Sequence, residues 1–87
     1  MIVKYHKVFE KHFKKRVFPN TKLLEKFNRR IKTFFENPND SSLRNHRLIG
    51  DKNEYLSFSI TGDIRVVYKV EGETIVLLDI GSHSQVY

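Results

Sequence analysis

The chain has 87 residues, 39% of them hydrophobic and 30% charged, with seven Phe and four Tyr. This is enough apolar material for one small core, so a single domain over residues 1–87 is expected and global disorder is not. There is no cysteine, which excludes disulfides and thiolate metal sites.

The net charge of +6 is unevenly spread. Residues 1–52 carry fourteen Lys and Arg against five Asp and Glu, a net of +9; residues 53–87 carry two against five, a net of −3. A basic first half attracts polyanions such as nucleic acid, an acidic protein or an anionic surface, although lysines also simply keep helices soluble. The start, MIVKYHKVFEKHFKK, lacks the apolar run of a signal peptide, and no stretch is long enough to span a membrane. A soluble, cytoplasmic protein without a membrane partner is expected.

In chain order, Ile2 to His6 alternate and are β-prone, which predicts a first strand. From Lys7, the residues Val8/Phe9, His12/Phe13 and Val17 recur at helical spacing, with Lys11, Lys14, Lys15 and Arg16 between them. That amphipathic helix should end near Pro19. Asn20 or Thr21 can cap a second helix, whose apolar stripe is Leu24, Phe27, Ile31 and Phe34/Phe35. Lys22, Lys26, Arg29, Arg30 and Lys32 line its other side, and Asn37-Pro38 stops it. NPNDSS then reads as a loop.

After residue 54 the period becomes two. Leu56, Phe58 and Ile60 share one face of a strand; Ile64, Val66, Tyr68 and Val70 share one face of the next. A three-residue turn at Thr61-Gly62-Asp63 pairs Ile60 with Ile64 and Phe58 with Val66, so that both apolar rows face one core. Glu71-Gly72 makes a further turn. TIVLLDI is apolar on both faces and is expected in a central or well-covered position. Gly81 breaks it, and His83 to Tyr87 are expected as an extended tail. The sum is an α+β fold, β-α-α-β-β-β, with a helical hairpin on one face of a small antiparallel sheet. The opposite face should be open and polar, carrying Ser57, Ser59 and Arg65 with Asp63 at its rim, and function should sit there.

HRLIG (His46 to Gly50), GDIRVVYKVEGETIVLLDIG (Gly62 to Gly81) and SHSQVY (Ser82 to Tyr87) resemble the RelE/ParE superfamily of toxins, and most closely its YafQ-like branch. The tail is the most specific match; residues 1–45 match in pattern only. The resemblance implies a RelE-like fold and a type II toxin–antitoxin toxin, a ribosome-dependent endoribonuclease that cuts messenger RNA and is neutralised by a cognate acidic antitoxin. No cofactor and no metal are expected. It places active-site roles on His46, Asp63 and His83, a terminal aromatic on Tyr87 and, through the RelE branch, a functional arginine on Arg65. One departure stands out. The first hairpin strand, Tyr55-Leu56-Ser57-Phe58-Ser59, lacks the arginine, acid and histidine that the YafQ-like pattern uses there.

RNA cleavage through the substrate's own 2′-hydroxyl needs a base for that proton, an acid for the departing 5′-oxygen and a cation for the phosphorane. Imidazoles titrate near neutrality and suit the first two tasks; a guanidinium fork suits the third. His83 is therefore the candidate acid, with Asp63 orienting it or sharing the proton. His46 is a candidate base or phosphate contact, and Arg65 a clamp on the scissile phosphate. Tyr87, Arg47 and Lys52 are expected substrate contacts, Tyr87 by stacking on a base. Each residue also has a structural reading: His46 as a loop cap, Asp63 as a turn residue, Arg65 as a solvated strand residue and Tyr87 as core. His6 and His12 read as non-catalytic, in strand and helix, and no histidine spacing supports a metal site. Two other functions share the pattern: a ParE-like, non-enzymatic inhibitor of DNA gyrase, and an RNA- or ribosome-binding module with weakened catalysis, the latter motivated by Ser57 and Ser59.

Overall fold

A computed structural model describes residues 1–48 and 54–87. The elements in chain order are β1 (Ile2–Tyr5), α1 (Lys7–Arg16), α2 (Thr21–Glu36), a 3-10 turn (Ser41–Leu43), β2 (His46–Arg47), β3 (Leu56–Ser59), β4 (Ile64–Glu71), β5 (Thr74–Ser82) and α3 (His83–Val86). The strands form one sheet in the order β1-β5-β4-β3-β2.

Both helices start on side-chain caps. His6 is not part of β1: its Nδ1 accepts the Val8 N–H at 3.1 Å and caps α1. Asn20 caps α2 by accepting from the Leu23 N–H at 3.1 Å. Asn37 is extended (φ −153°), as the following proline requires, and α2 stops there.

The apolar stripes meet the apolar strand rows as expected. Phe9, Val17, Phe27 and Phe34 from the helices are buried against Phe58, Ile60, Val66, Tyr68, Leu77 and Ile80 from the sheet. Phe34 stacks on Phe58 with centroids 4.2 Å apart, and Tyr68 meets Phe34 edge-on at 4.9 Å. The hairpin register pairs Phe58 with Val66 and Ser59 with Arg65, and the Ile60 N–H donates to the Ile64 carbonyl across the three-residue loop. β5 lies inside the sheet, between β1 and β4. At Val67/Tyr68 its register against β4 shifts, so Leu78 is skipped between Asp79 and Leu77. This bulge lets Leu77 and Ile80 both reach the helix-side core while Leu78 turns to the other face.

Besides His6, three features differ from the sequence expectation. β1 runs parallel to β5, so the sheet is mixed; the helical hairpin acts as the crossover that a parallel neighbour needs. A two-residue edge strand, β2, adds His46 and Arg47 to the sheet. The tail is not extended: α3 folds back, and Val86 is buried with Leu48 and Val67, with Tyr55 and Leu78 packed around them. The face opposite the helices is therefore partly a second apolar cluster and only partly open.

Candidate functional site

The polar remainder of that face centres on Arg65, which points away from the helices because Val66 points toward them. It is 8% exposed. Its Nε donates to Ser57 Oγ at 2.8 Å and to the Tyr87 hydroxyl at 2.6 Å. Nη1 donates to Ser59 Oγ at 2.5 Å and Nη2 to the Arg44 carbonyl at 3.2 Å. Ser57 and Tyr87 also bond to each other. Every acceptor among the described residues is neutral. This is a buried cation held by hydroxyls and a carbonyl, with no carboxylate partner among the described residues, so its charge stays available to an incoming anion. The two serines that depart from the YafQ-like strand pattern are thus the acceptors that fix the guanidinium plane.

Arg44 has φ 50°, the one non-glycine residue with positive φ among the described residues. That left-handed turn, which costs a side-chain-bearing residue about 1–2 kcal/mol, aims its carbonyl at two donors, Arg65 and His46. His46 Nδ1 lies 2.9 Å from the Arg44 oxygen. A carbonyl can only accept, so Nδ1 carries the proton. The 3.4 Å approach of Arg65 Nη2 to the same nitrogen is then proximity between two donors, not a hydrogen bond. The other ring nitrogen, Nε2, faces no protein partner among the described residues. A further chain steadies this loop: the Tyr68 hydroxyl donates to Asn45 Oδ1 at 2.8 Å, and Asn45 Nδ2 donates to the Pro38 carbonyl at 3.0 Å. Burial raises the Tyr68 phenol above its ordinary range, while its bond to Asn45 and the nearby Arg47 pull the other way.

The tail supplies the rest. Gly81 stands opposite Arg65. A Cβ there would lie 2.6 Å from Arg16 Nη1 and 2.7 Å from Gln85 Oε1, so only glycine lets both side chains close over it. Gln85 Oε1 accepts the Ser82 N–H at 2.8 Å, which together with Ser82 forms a capping box at the start of α3. The turn brings the ring of His83 edge-on to Tyr87, with centroids 4.4 Å apart and planes at 87°. His83 is exposed, and its ring nitrogens have no bonding partner among the described residues. Through Tyr87 it is linked to Arg65, and through the Arg44 carbonyl that both share, Arg65 is linked to His46.

Asp63 is exposed at the rim. The β4–β5 ladder ends where Ile64 pairs with Ser82, so Asp63 and His83 each lie one residue beyond it, and the Asp63 carboxylate bonds to no described residue. Arg47 is turned to the other side of β2 from His46, as successive strand residues must be. Lys52 lies outside the described residues, as do Ile49 and Gly50 of the H-x-L-x-G step. Tyr87 is 37% exposed with its hydroxyl already engaged, so it is a ligand of Arg65 and a wall for His83 before it is a free stacking surface. Sequence reading missed Arg44, whose role lies in its backbone, and Gln85, although Ser82-His83-Ser84-Gln85 carries the S-x-x-Q capping signature.

On the helix side, His12 Nδ1 lies 2.6 Å from Asp79 Oδ1, and Arg16 Nη1 donates to the Ile80 carbonyl at 2.8 Å. These bonds tie α1 to β5 and leave His12 structural.

Two helices packed on one face of a five-stranded mixed sheet are the fold of RelE-like toxins. All of residues 1–87 matches the family described as bacterial toxin of type II toxin–antitoxin system, YafQ. The chain belongs to that family: it is a type II toxin–antitoxin toxin. Among solved structures it is similar to a copper-bound mutant toxin from Helicobacter pylori, at 28% identity over 100% of this chain and 99% of that one, TM-score 0.80. It is also similar to YafQ from E. coli, at 17% identity over 98% and 96%, TM-score 0.83, and to a YoeB/ParE toxin from Agrobacterium tumefaciens, at 22% over 95% and 99%, TM-score 0.79. No curated protein matches it. Among the described residues no three His, Asp or Glu side chains are grouped to hold a metal ion, and no helix is long and apolar enough to cross a membrane.

Proposed function

We propose that this toxin is an endoribonuclease that cuts messenger RNA on the ribosome through the substrate's 2′-hydroxyl, and that an acidic antitoxin silences it. The observation that carries the reading is Arg65, a buried guanidinium with only neutral acceptors among the described residues, set beside an imidazole whose Nδ1 carries a proton. The scissile phosphate docks against the fork and displaces its weaker contacts. His46 Nε2 takes the 2′-OH proton; the 2′-oxygen attacks phosphorus; the 5′-oxygen departs with a proton from His83. The products are a 2′,3′-cyclic phosphate and a 5′-hydroxyl. Arg65 and the Tyr87 hydroxyl stabilise the extra charge of the phosphorane, the kind of fixed donor whose removal costs on the order of a hundredfold or more in rate. Asp63 orients His83 once RNA closes the gap between them, because catalytic hydrogen bonds often tighten only in the bound complex.

The antitoxin follows from the +9 net charge of residues 1–52 and from family membership; the E. coli relative has been solved as a DinJ-YafQ toxin-antitoxin complex. Cytoplasmic action follows from the same ribosomal target.

The test is to express the chain under tight control and map transcript 5′ ends on translating ribosomes, with His83→Ala and His46→Gln as controls. Codon-phased cuts that vanish in both variants are expected. Intact messages together with blocked DNA supercoiling would put the gyrase-directed alternative in its place, and growth arrest with neither would leave a non-cleaving ribosome binder.

A further inference from the structure

Beside Arg65, between α2 and the β3–β4 turn, lies a cavity of about 160 Å3 lined by Lys26, Arg30, Arg44, Ser42, Ser59 and Thr61, with Ile60 and Gly62. Two of its walls are shared with the site above. Ser59 accepts from Arg65 Nη1, and Arg44, another lining residue, offers its carbonyl to Arg65 and His46. Lys26 and Arg30 come from successive turns of α2, four residues apart and therefore on one face. Among the described residues none of the three cations is within ion-pair distance of a carboxylate. Asp40, close enough to Arg30 to feel its charge, is already occupied by the Ser42 N–H at 2.9 Å and the Ser42 hydroxyl at 2.6 Å.

Three cationic residues unpaired among the described residues, with the Ser59 and Thr61 hydroxyls beside them, around a small polar hollow suit an oxyanion. We propose that this hollow is a second phosphate subsite, which holds the phosphodiester adjacent to the scissile one on the same RNA strand. The proposal rests on the nuclease reading for its ligand but not for its chemistry. A docked protein segment fits less well, because such a segment is held by apolar contacts and the lining offers only Ile60, whereas a backbone phosphate is held by charge alone. The subsite would fix the direction and register of the strand across Arg65.

The experiment uses Lys26→Met/Arg30→Met, which spares every residue assigned to catalysis, and the milder Lys26→Glu at an exposed position as a second variant, each checked for an unchanged urea midpoint. The probes are 2′-O-methyl oligonucleotides of two, three and four nucleotides, inorganic phosphate, and an acidic antitoxin. For the wild type, affinity should rise about tenfold from one phosphate to two, the scale of a charge-assisted contact; for the variants that step should disappear, and the salt slope should fall by about 0.7, the single-strand value for one phosphate. Inorganic phosphate should shift the amide signals of Ser42, Thr61 and Gly62 in the wild type and not in the double variant. Cleavage failing while the phosphate-dependent step persists would sink the nuclease reading and still support the subsite. Variants that bind every oligonucleotide as the wild type does, or that lose only the antitoxin, would overturn it.

Discussion

Arg65→Met and Arg65→Lys should separate function from stability in an order opposite to chemical conservatism. Arg65 is 8% exposed and, among the described residues, has five contacts, none of them to an acid. Holding an ion there costs several kcal/mol of desolvation. Against this stand four hydrogen bonds from a charged donor, each about 1.5–3 kcal/mol. The two sums are similar in size. Methionine removes the charge and fills much of the space; Ser57 and Tyr87 keep each other, the Arg44 carbonyl keeps His46, and only Ser59 loses its partner. The expected change is within about 1 kcal/mol of wild type, the scale of one unpaired hydroxyl. Lysine keeps the buried charge but has a compact ammonium in place of the planar fork, and it forfeits one or two of the bonds, so a loss of roughly 2–3 kcal/mol is expected. Urea unfolding at neutral pH, with m-values unchanged between variants, reads both numbers. RNA cleavage should be lost in Arg65→Met whatever its stability. If Arg65→Met proved several kcal/mol less stable than Arg65→Lys, the guanidinium would be a structural strut, and the view of it as a charge kept in reserve for an anion would be wrong.

Gly81→Ala should push aside Arg16 Nη1 and Gln85 Oε1 and so remove the bonds to the Ile80 carbonyl and the Ser82 N–H; a loss of about 2 kcal/mol, with displaced His83 and Tyr87 ring signals in NMR spectra, is the expected outcome. Asp79→Asn weakens the tie between α1 and β5 and should cost about 1–2 kcal/mol, measured by thermal melting, without changing the Tyr87–Arg65 contact. The Tyr68 phenol is raised by burial, so the folded state holds its proton more tightly than the unfolded chain does. Its contribution to stability is therefore full below the ordinary phenol range and is lost as pH rises through the folded value; in Tyr68→Phe this alkaline decline should flatten. A Tyr68→Phe protein whose alkaline limb matches the wild type would contradict that assignment.

Much of the architecture was written in periodicity. Steps of three and four in Leu24, Phe27, Ile31 and Phe34 and steps of two in Phe58, Ile60 and Ile64, Val66 left one way to bring apolar faces together, and the hairpin register followed from it. That register also placed Ser59 opposite Arg65. The parallel seat of β1 was not legible, because a short edge strand carries no signal of direction; the helical hairpin's length and the free edge of β5 decide it. Nor was the tail. A four-residue helix has almost no intrinsic stability, so α3 exists because Val86 finds Leu48 and Val67 and because Gly81 leaves room for Gln85.

The residue types at the site, two imidazoles, a guanidinium and a phenol, were fixed by the sequence alone, as was the face that would carry Arg65. Their meeting was decided only in three dimensions. It depends on a backbone carbonyl turned inward at Arg44 and on a chain end folded back by packing, and neither a carbonyl's direction nor a distant apolar contact is encoded in local spacing.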